Sequence, residues 1–296
     1  MSKIVKWWII YMSVNGILQY FTTKDGLRLA ADTWGFHKQQ PVLLLHGGGQ
    51  NRYSWGEAAR IIALNGFYTI AIDLRGHGES DYALDGDYCI NSFTDDIESV
   101  IANLQTPPIL GGASLGGIIA LIVAGERKIP VKSIVLVDVA FRAAVEGADR
   151  ILAFMRRYKN GFESLENAAE AISNYLPHRK RSVEKSGQSE DLNKYLRKKN
   201  DGRYYWHWDP QFLDAIKVEE FMDKQRLIKA ARFIKVPLLL LRGMLSDVVT
   251  EEIAKELLEA VPHAKSIDIP GAAHTVPGDS NNIFTNNIMT FLKKEC

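Results

Sequence analysis

Short, mostly apolar runs of strand length recur along this chain, and they limit what it can fold into more than any other feature. They are Pro41-Val-Leu-Leu-Leu45, Tyr68-Thr-Ile-Ala-Ile72, Pro107-Pro-Ile-Leu-Gly111, Ile134-Val-Leu-Val137, Pro237-Leu-Leu-Leu-Leu241 and Ser266-Ile-Asp-Ile269. A strand that is apolar at successive positions has no solvent face, so it must be covered on both sides. Helical stretches lie between the runs, and buried strands alternating with helices imply a parallel sheet between two helical layers. Ahead of them, Leu18–Thr23 and Leu27–Trp34 flank Lys24-Asp25-Gly26, a hairpin signal.

The alternation stops between about Phe141 and Arg232, where no buried-strand signal occurs. Helical patterns such as Glu163–Tyr175, two basic tracts (His178-Arg-Lys-Arg181 and Arg197-Lys-Lys199) and the aromatic cluster Tyr204-Tyr-Trp-His-Trp208 fill the interval. The expected organisation is a core of residues 1–140 and 233–296 with a helical cap, 141–232, inserted after the sixth strand of an eight-stranded, mostly parallel sheet. At 296 residues the chain is long enough for such a domain plus insertion. The basic tracts read as solvated helix faces. A formal net charge of +1 gives no global attraction to nucleic acid, and none is expected as a partner.

Cys89 and Cys296 are too few and too far apart for a disulfide framework, which fits a reducing compartment. At the N-terminus, basic Met1–Lys6 precedes apolar Trp7-Trp-Ile-Ile-Tyr-Met12, but no small-residue cleavage site follows. The run is also far short of a bilayer span. The segment reads as an extension packed on the core or a partner, and the protein as cytoplasmic, with export through this segment as the alternative.

Gly112-Ala113-Ser114-Leu115-Gly116 stands between an apolar strand and the helical run Leu115–Ala124. A G-x-S-x-G in that setting is a nucleophile elbow, a tight turn that lifts a serine hydroxyl above the sheet edge. A serine nucleophile needs a base and an acid that orients the base, which follow it in the order Asp or Glu, then His. His274, in the loop after the last strand, is the expected base, and Asp247, in the loop after the preceding strand, the expected acid. Asp138, at another strand end, is the rival acid; its alternative role is to anchor the cap junction. His46 and His77 read as holders of Gly-rich loops, and His207 as a packing residue or pocket wall. The oxyanion hole is expected from the backbone N–H groups of Leu115 and Gly48, with Gly47 or Gly49 as alternatives. No metal-ligand cluster appears, and no cofactor is expected.

Taken together, His46-Gly47 with Trp55, Asp73-Leu-Arg-Gly-His-Gly-Glu-Ser80, the elbow, Arg242-Gly-x-x-Ser-Asp247 and Gly271-Ala-Ala-His274 resemble the α/β-hydrolase superfamily over residues 25–140 and 234–296. The cap segment, with Gly161–Leu165 and Trp206–Pro210, is similar to bacterial members described as esterases or cofactor-free peroxidase-like hydrolases. Branches with an aspartate at the elbow, such as haloalkane dehalogenases and epoxide hydrolases, are set aside by Ser114. The resemblance implies a serine hydrolase of a small hydrophobic ester or lactone, working through an acyl-enzyme. A carbon–carbon hydrolase or perhydrolase using the same triad is the alternative, and a non-catalytic ligand receptor the third reading. A homodimer is left open, and so is whether Tyr204, Tyr205, Trp206 and Trp208 line the pocket or pack the cap.

Overall fold

The computed structural model describes residues 16–175, 192–216, 221–274 and 281–295. The N-terminal apolar run, the basic tract at 178–181 and Cys296 lie outside them. Among the described residues ten strands form: β1 (Ile17–Thr22), β2 (Arg28–Trp34), β3 (Pro41–Leu45), β4 (Tyr68–Ile72), β5 (Ile109–Ala113), β6 (Ser133–Val137), β7 (Leu196–Lys198), β8 (Tyr204–Trp206), β9 (Leu238–Gly243) and β10 (Lys265–Ile269). Eight of them make one sheet in the order β1-β2-β4-β3-β5-β6-β9-β10. β1–β2 and β2–β4 pair antiparallel, and all other pairs are parallel.

β3, β4, β5 and β6 are buried at every position, as their composition demands. Successive side chains point to opposite faces, so Leu43 and Leu45 enter one apolar cluster while Val42 and Leu44 enter the other. On the first face lie α2 (Ile90–Ala102) and α3 (Leu115–Leu121), which a π-turn at Ile122–Glu126 prolongs. On the second lie α1 (Gly56–Leu64) and the terminal helix at Asn281–Glu295, with Trp55 packed on Phe284 at 5.8 Å between ring centres. The hairpin is where the Asp-Gly signal puts it: Thr22 faces Arg28 in register, and Gly26 takes φ +91°.

The interval after β6 holds α4 (Val145–Arg157), α5 (Leu165–Tyr175), α6 (Pro210–Ala215) and α7 (Lys224–Phe233). It also holds an antiparallel ribbon, β7–β8, that the sequence reading lacks; Arg197-Lys-Lys199 runs through it instead of along a helix. Lys198 and Lys199 are exposed, as expected of a solvated tract, and lie over the Tyr204 and Tyr205 rings. α7 lies directly on the core: a Cβ at Gly125 in the π-turn would stand 2.1 Å from the Ala230 carbonyl oxygen. Among the described residues the remaining helices are α8 (Glu251–Ala260) and α9 (Asn281–Glu295). Among the described residues no helix is long and apolar enough to cross a membrane.

Candidate active site

The C-terminal ends of the parallel strands meet along one edge, and the chemistry-bearing residues follow those ends directly. Ser114 comes immediately after β5 with φ +47° and ψ −115°, a conformation few non-glycine residues adopt. The turn closes because its glycines have no side chains: a Cβ at Gly112 would stand 2.3 Å from the Gly116 carbonyl oxygen, and one at Gly116 2.3 Å from that of Leu45. The Ser114 N–H donates to the Val137 carbonyl at 3.1 Å, carrying the sheet ladder one residue into the elbow. This is the strained serine turn expected from the pentapeptide.

The carboxylate partner of the histidine is not the expected one. His274 Nδ1 donates to Asp138 Oδ2 at 2.8 Å. Asp138 follows β6 directly, is fully buried and has φ +47°. Its Oδ1 accepts the Gly243 N–H at 3.0 Å, and its Oδ2 also accepts the Ser246 hydroxyl at 2.5 Å. Three donors therefore fix the carboxylate, and the ring nitrogen it binds leaves Nε2 as the acceptor of the imidazole. Asp247 instead binds Arg150 of α4 bidentately, at 2.7 and 2.9 Å. Burial opposes charge on Asp247, but the Arg150 guanidinium outweighs it and holds the carboxyl below its usual range. Thr250 caps α8, its Oγ1 accepting the Ile253 N–H.

Both aspartates satisfy the chain order, so that rule could not separate them. The usable signal was position: Asp138 is the first residue beyond a buried strand, whereas Asp247 lies four residues beyond β9. Ser246 accepts the N–H groups of Val248 and Val249 at 3.1 Å while donating to Asp138. Among the described residues no hydrogen bond joins Ser114 to His274; in unliganded sites such bonds often tighten only around substrate.

The glycine turn after β3 lies beside the serine, with a Cβ at Gly47 only 3.3 Å from that of Ser114. The Gly47 N–H is held by Gln50 Oε1 at 3.3 Å, and the Gly49 N–H by His77 Nε2 at 3.0 Å. Among the described residues the Gly48 N–H is assigned no acceptor. Leu115, as the first residue of α3, has no intrahelical acceptor for its own N–H. A Cβ at Gly48 would stand 3.4 Å from Phe212 and 3.9 Å from Leu115, and one at Gly49 would meet Met155 at 2.7 Å. Residues from the inserted segment thus close over this turn with apolar groups.

His46 and His77 hold loops, as expected. His46 binds the Gly47 carbonyl through Nδ1 and accepts the Leu74 N–H through Nε2. Burial pushes its pKa down to about 4, and burial followed by the charge of His46 pushes His77 down to about 3. The Asp73–Ser80 motif is scaffolding for these loops. Buried Asp73 accepts the N–H groups of Arg52 and Glu79 and pairs with the Arg52 guanidinium, while Ser80 Oγ donates to the Asp73 carbonyl at 2.6 Å. Tyr204 and Trp206 join the inserted segment's own aromatic cluster around Phe162, and Tyr205 turns outward to Asp201. Among the described residues no three His, Cys, Asp or Glu side chains gather as a metal site.

The alpha/beta hydrolase fold family matches residues 40–280. The esterase Rv0045c of Mycobacterium tuberculosis is 27% identical over 273 residues, spanning 90% of this chain and 87% of that protein. A bifunctional esterase/perhydrolase of Acinetobacter calcoaceticus is 26% identical over 281 residues, 93% of this chain and 99% of its own. In structure, E-2-(acetamidomethylene)succinate hydrolase superposes with a TM-score of 0.78 at 24% identity, covering 94% of this chain and all of that one.

Proposed function

The chain belongs to the alpha/beta hydrolase family, and we propose that it is a serine esterase that cleaves small hydrophobic carboxylic esters through an acyl-enzyme. The observation that carries this reading is the His274–Asp138 hydrogen bond at the same sheet edge as the strained Ser114 turn. In this scheme His274 Nε2 takes the Ser114 proton as Oγ attacks the ester carbonyl. Asp138 keeps the proton on Nδ1 and favours the imidazolium that forms. The N–H groups of Gly48 and Leu115 stabilise the tetrahedral oxyanion. His274 then protonates the leaving alcohol and activates the water that releases the acid.

Asp138 replaces Asp247 as the proposed acid because Asp247 is committed to Arg150. Phe212 and Met155, lying against Gly48 and Gly49, suit an apolar acyl group. The part of 141–232 that precedes α7 acts as the roof over this edge. The test is p-nitrophenyl ester hydrolysis across acyl chain lengths. Ser114→Ala should lower kcat by several orders of magnitude and abolish fluorophosphonate labelling. A Ser114→Ala protein with near-normal turnover would sink the reading.

The bifunctional relative supports a second reaction at the same site, in which hydrogen peroxide takes the acyl group in place of water and gives a peracid. Acetate plus peroxide, assayed beside the esters, separates the two.

A further inference from the structure

Under the inserted segment runs a column of three histidines, none of which ester cleavage uses as acid or base. His46, His77 and His207 are each at most 1% exposed. Their ring centres are 5.1 Å apart from His46 to His77 and 6.2 Å from His77 to His207. Phe212 packs edge-on against His77 at 4.5 Å. The bonding fixes each tautomer. His77 Nδ1–H donates to the Arg75 carbonyl at 2.9 Å, so Nε2 can only accept, and it accepts Gly49 N–H.

His207 reaches this column from the opposite layer, in the stretch between β8 and α6. Its Nδ1 accepts the Gly78 N–H at 2.8 Å, one residue beyond His77. Its Nε2–H is buried and meets no partner in bonding geometry. The backbone group that favours a proton on this ring is Gly49, the residue His77 holds from the other side. Two neighbours tighten the same junction: Asn51 Nδ2 donates to the Lys194 carbonyl at 2.7 Å, and Trp208 Nε1 lies 3.7 Å from where a Gly49 Cβ would stand. Gly49 has φ +75°, a conformation open to glycine, and the bond from its N–H to His77 Nε2 holds the turn beside Gly48 in place.

We propose that His207 is a positioning residue for the oxyanion hole, coupling the seating of the inserted segment to the direction of the Gly48 N–H. The inference rests on the esterase reading of Ser114. A backbone donor stabilises a developing oxyanion only when aimed within a few tenths of an ångström of it. His207 fixes the Gly78 loop, that loop fixes His77, and His77 holds Gly49 through a lone pair. The column works only with neutral rings, because a proton on His77 Nε2 would face the Gly49 N–H donor. Burial keeps it neutral, aided on His207 by the charge of Arg197 and opposed on His77 by Asp209.

The test uses the full-length protein with p-nitrophenyl acetate. His207→Phe keeps a ring and removes the acceptor, and His207→Asn returns an acceptor oxygen near the Nδ1 position. His207→Phe should lower kcat about 10- to 100-fold, part of what loss of a whole oxyanion donor costs, with KM within about threefold. His207→Asn should recover most of that kcat. Unchanged kcat in His207→Phe, or His207→Asn no better than His207→Phe, overturns the proposal. Should His207→Phe fail to fold, His207→Asn is compared with His207→Gln, whose acceptor falls near the Nε2 position; equal kcat values overturn it. An inactive wild-type protein would remove the functional reading and this proposal together. An active wild type, a dead Ser114→Ala and an unaffected His207→Phe would remove this proposal alone.

Discussion

Exchanging the carboxylates one at a time gives the sharpest measurement on this site. Asp138→Asn keeps the volume and removes the charge at a fully buried position that receives three hydrogen bonds, from His274, Ser246 and Gly243. The amide can satisfy the Gly243 N–H with its oxygen, which turns its NH2 toward His274 Nδ1. The imidazole must then accept there, so its proton moves to Nε2, the nitrogen that has to take the Ser114 proton. The same exchange in the trypsin-like triad costs about 10⁴ in kcat, and a loss of that order is expected here. It corresponds to about 5 kcal/mol of transition-state stabilisation. Asp247→Asn, by contrast, breaks an ion pair whose side chains are 42% and 41% exposed. Such pairs contribute about 0–1 kcal/mol to stability, so the variant should fold, and because the hydrogen bond to His274 comes from Asp138 its kcat should stay near that of the wild type. The assay is kcat and KM for p-nitrophenyl butyrate from pH 6 to 9, with thermal unfolding of each variant to confirm a folded chain. A loss of thousands-fold in Asp247→Asn alongside a near-normal Asp138→Asn would refute the assignment of the acid.

Two further outcomes follow from the glycine turn and the buried histidines. Gly49→Ala places a side chain at φ +75° and should cost about 1–2 kcal/mol in urea denaturation, with reduced turnover; Gly48→Ala, whose Cβ would lie 3.4 Å from Phe212, should fold normally. The folded pKa values of His46 and His77, about 4 and about 3, lie below the unfolded value near 6.5, so the unfolded chain binds more protons between them. Stability should therefore be fully present above pH 6.5 and decline as pH falls toward 4, by up to about 1 kcal/mol per pH unit for each histidine. Urea midpoints at pH 7, 6 and 5 that do not change would contradict this.

The sequence reading failed at two places for the same kind of reason. Asp138 and Asp247 both follow a strand and both lie between Ser114 and His274 in the chain, so the chain-order rule scores them alike and only their distance from the strand end differs. What separates them is which carboxylate a ring nitrogen reaches and which one an arginine from α4 has already taken. The β7–β8 ribbon escaped because its two strands have three residues each, too few for an alternating pattern to emerge from the surrounding polar and aromatic residues. Tyr204 and Trp206 show the same limit: aromatic composition allowed a pocket wall or a packed cluster, and the cluster around Phe162 is what forms.

By itself the sequence determined the parallel sheet, the serine elbow, the edge on which the loops converge and the glycine turn beside it. Each of these is local: apolar runs dictate burial, and small residues allow one tight turn. Only the tertiary structure decided that His274 pairs with Asp138, that Gly47 and Gly49 have their N–H groups engaged, and that a histidine from the inserted segment accepts the Gly78 N–H next to His77. Those are choices among equivalent donors and acceptors, and they are made by distances between residues far apart in the chain.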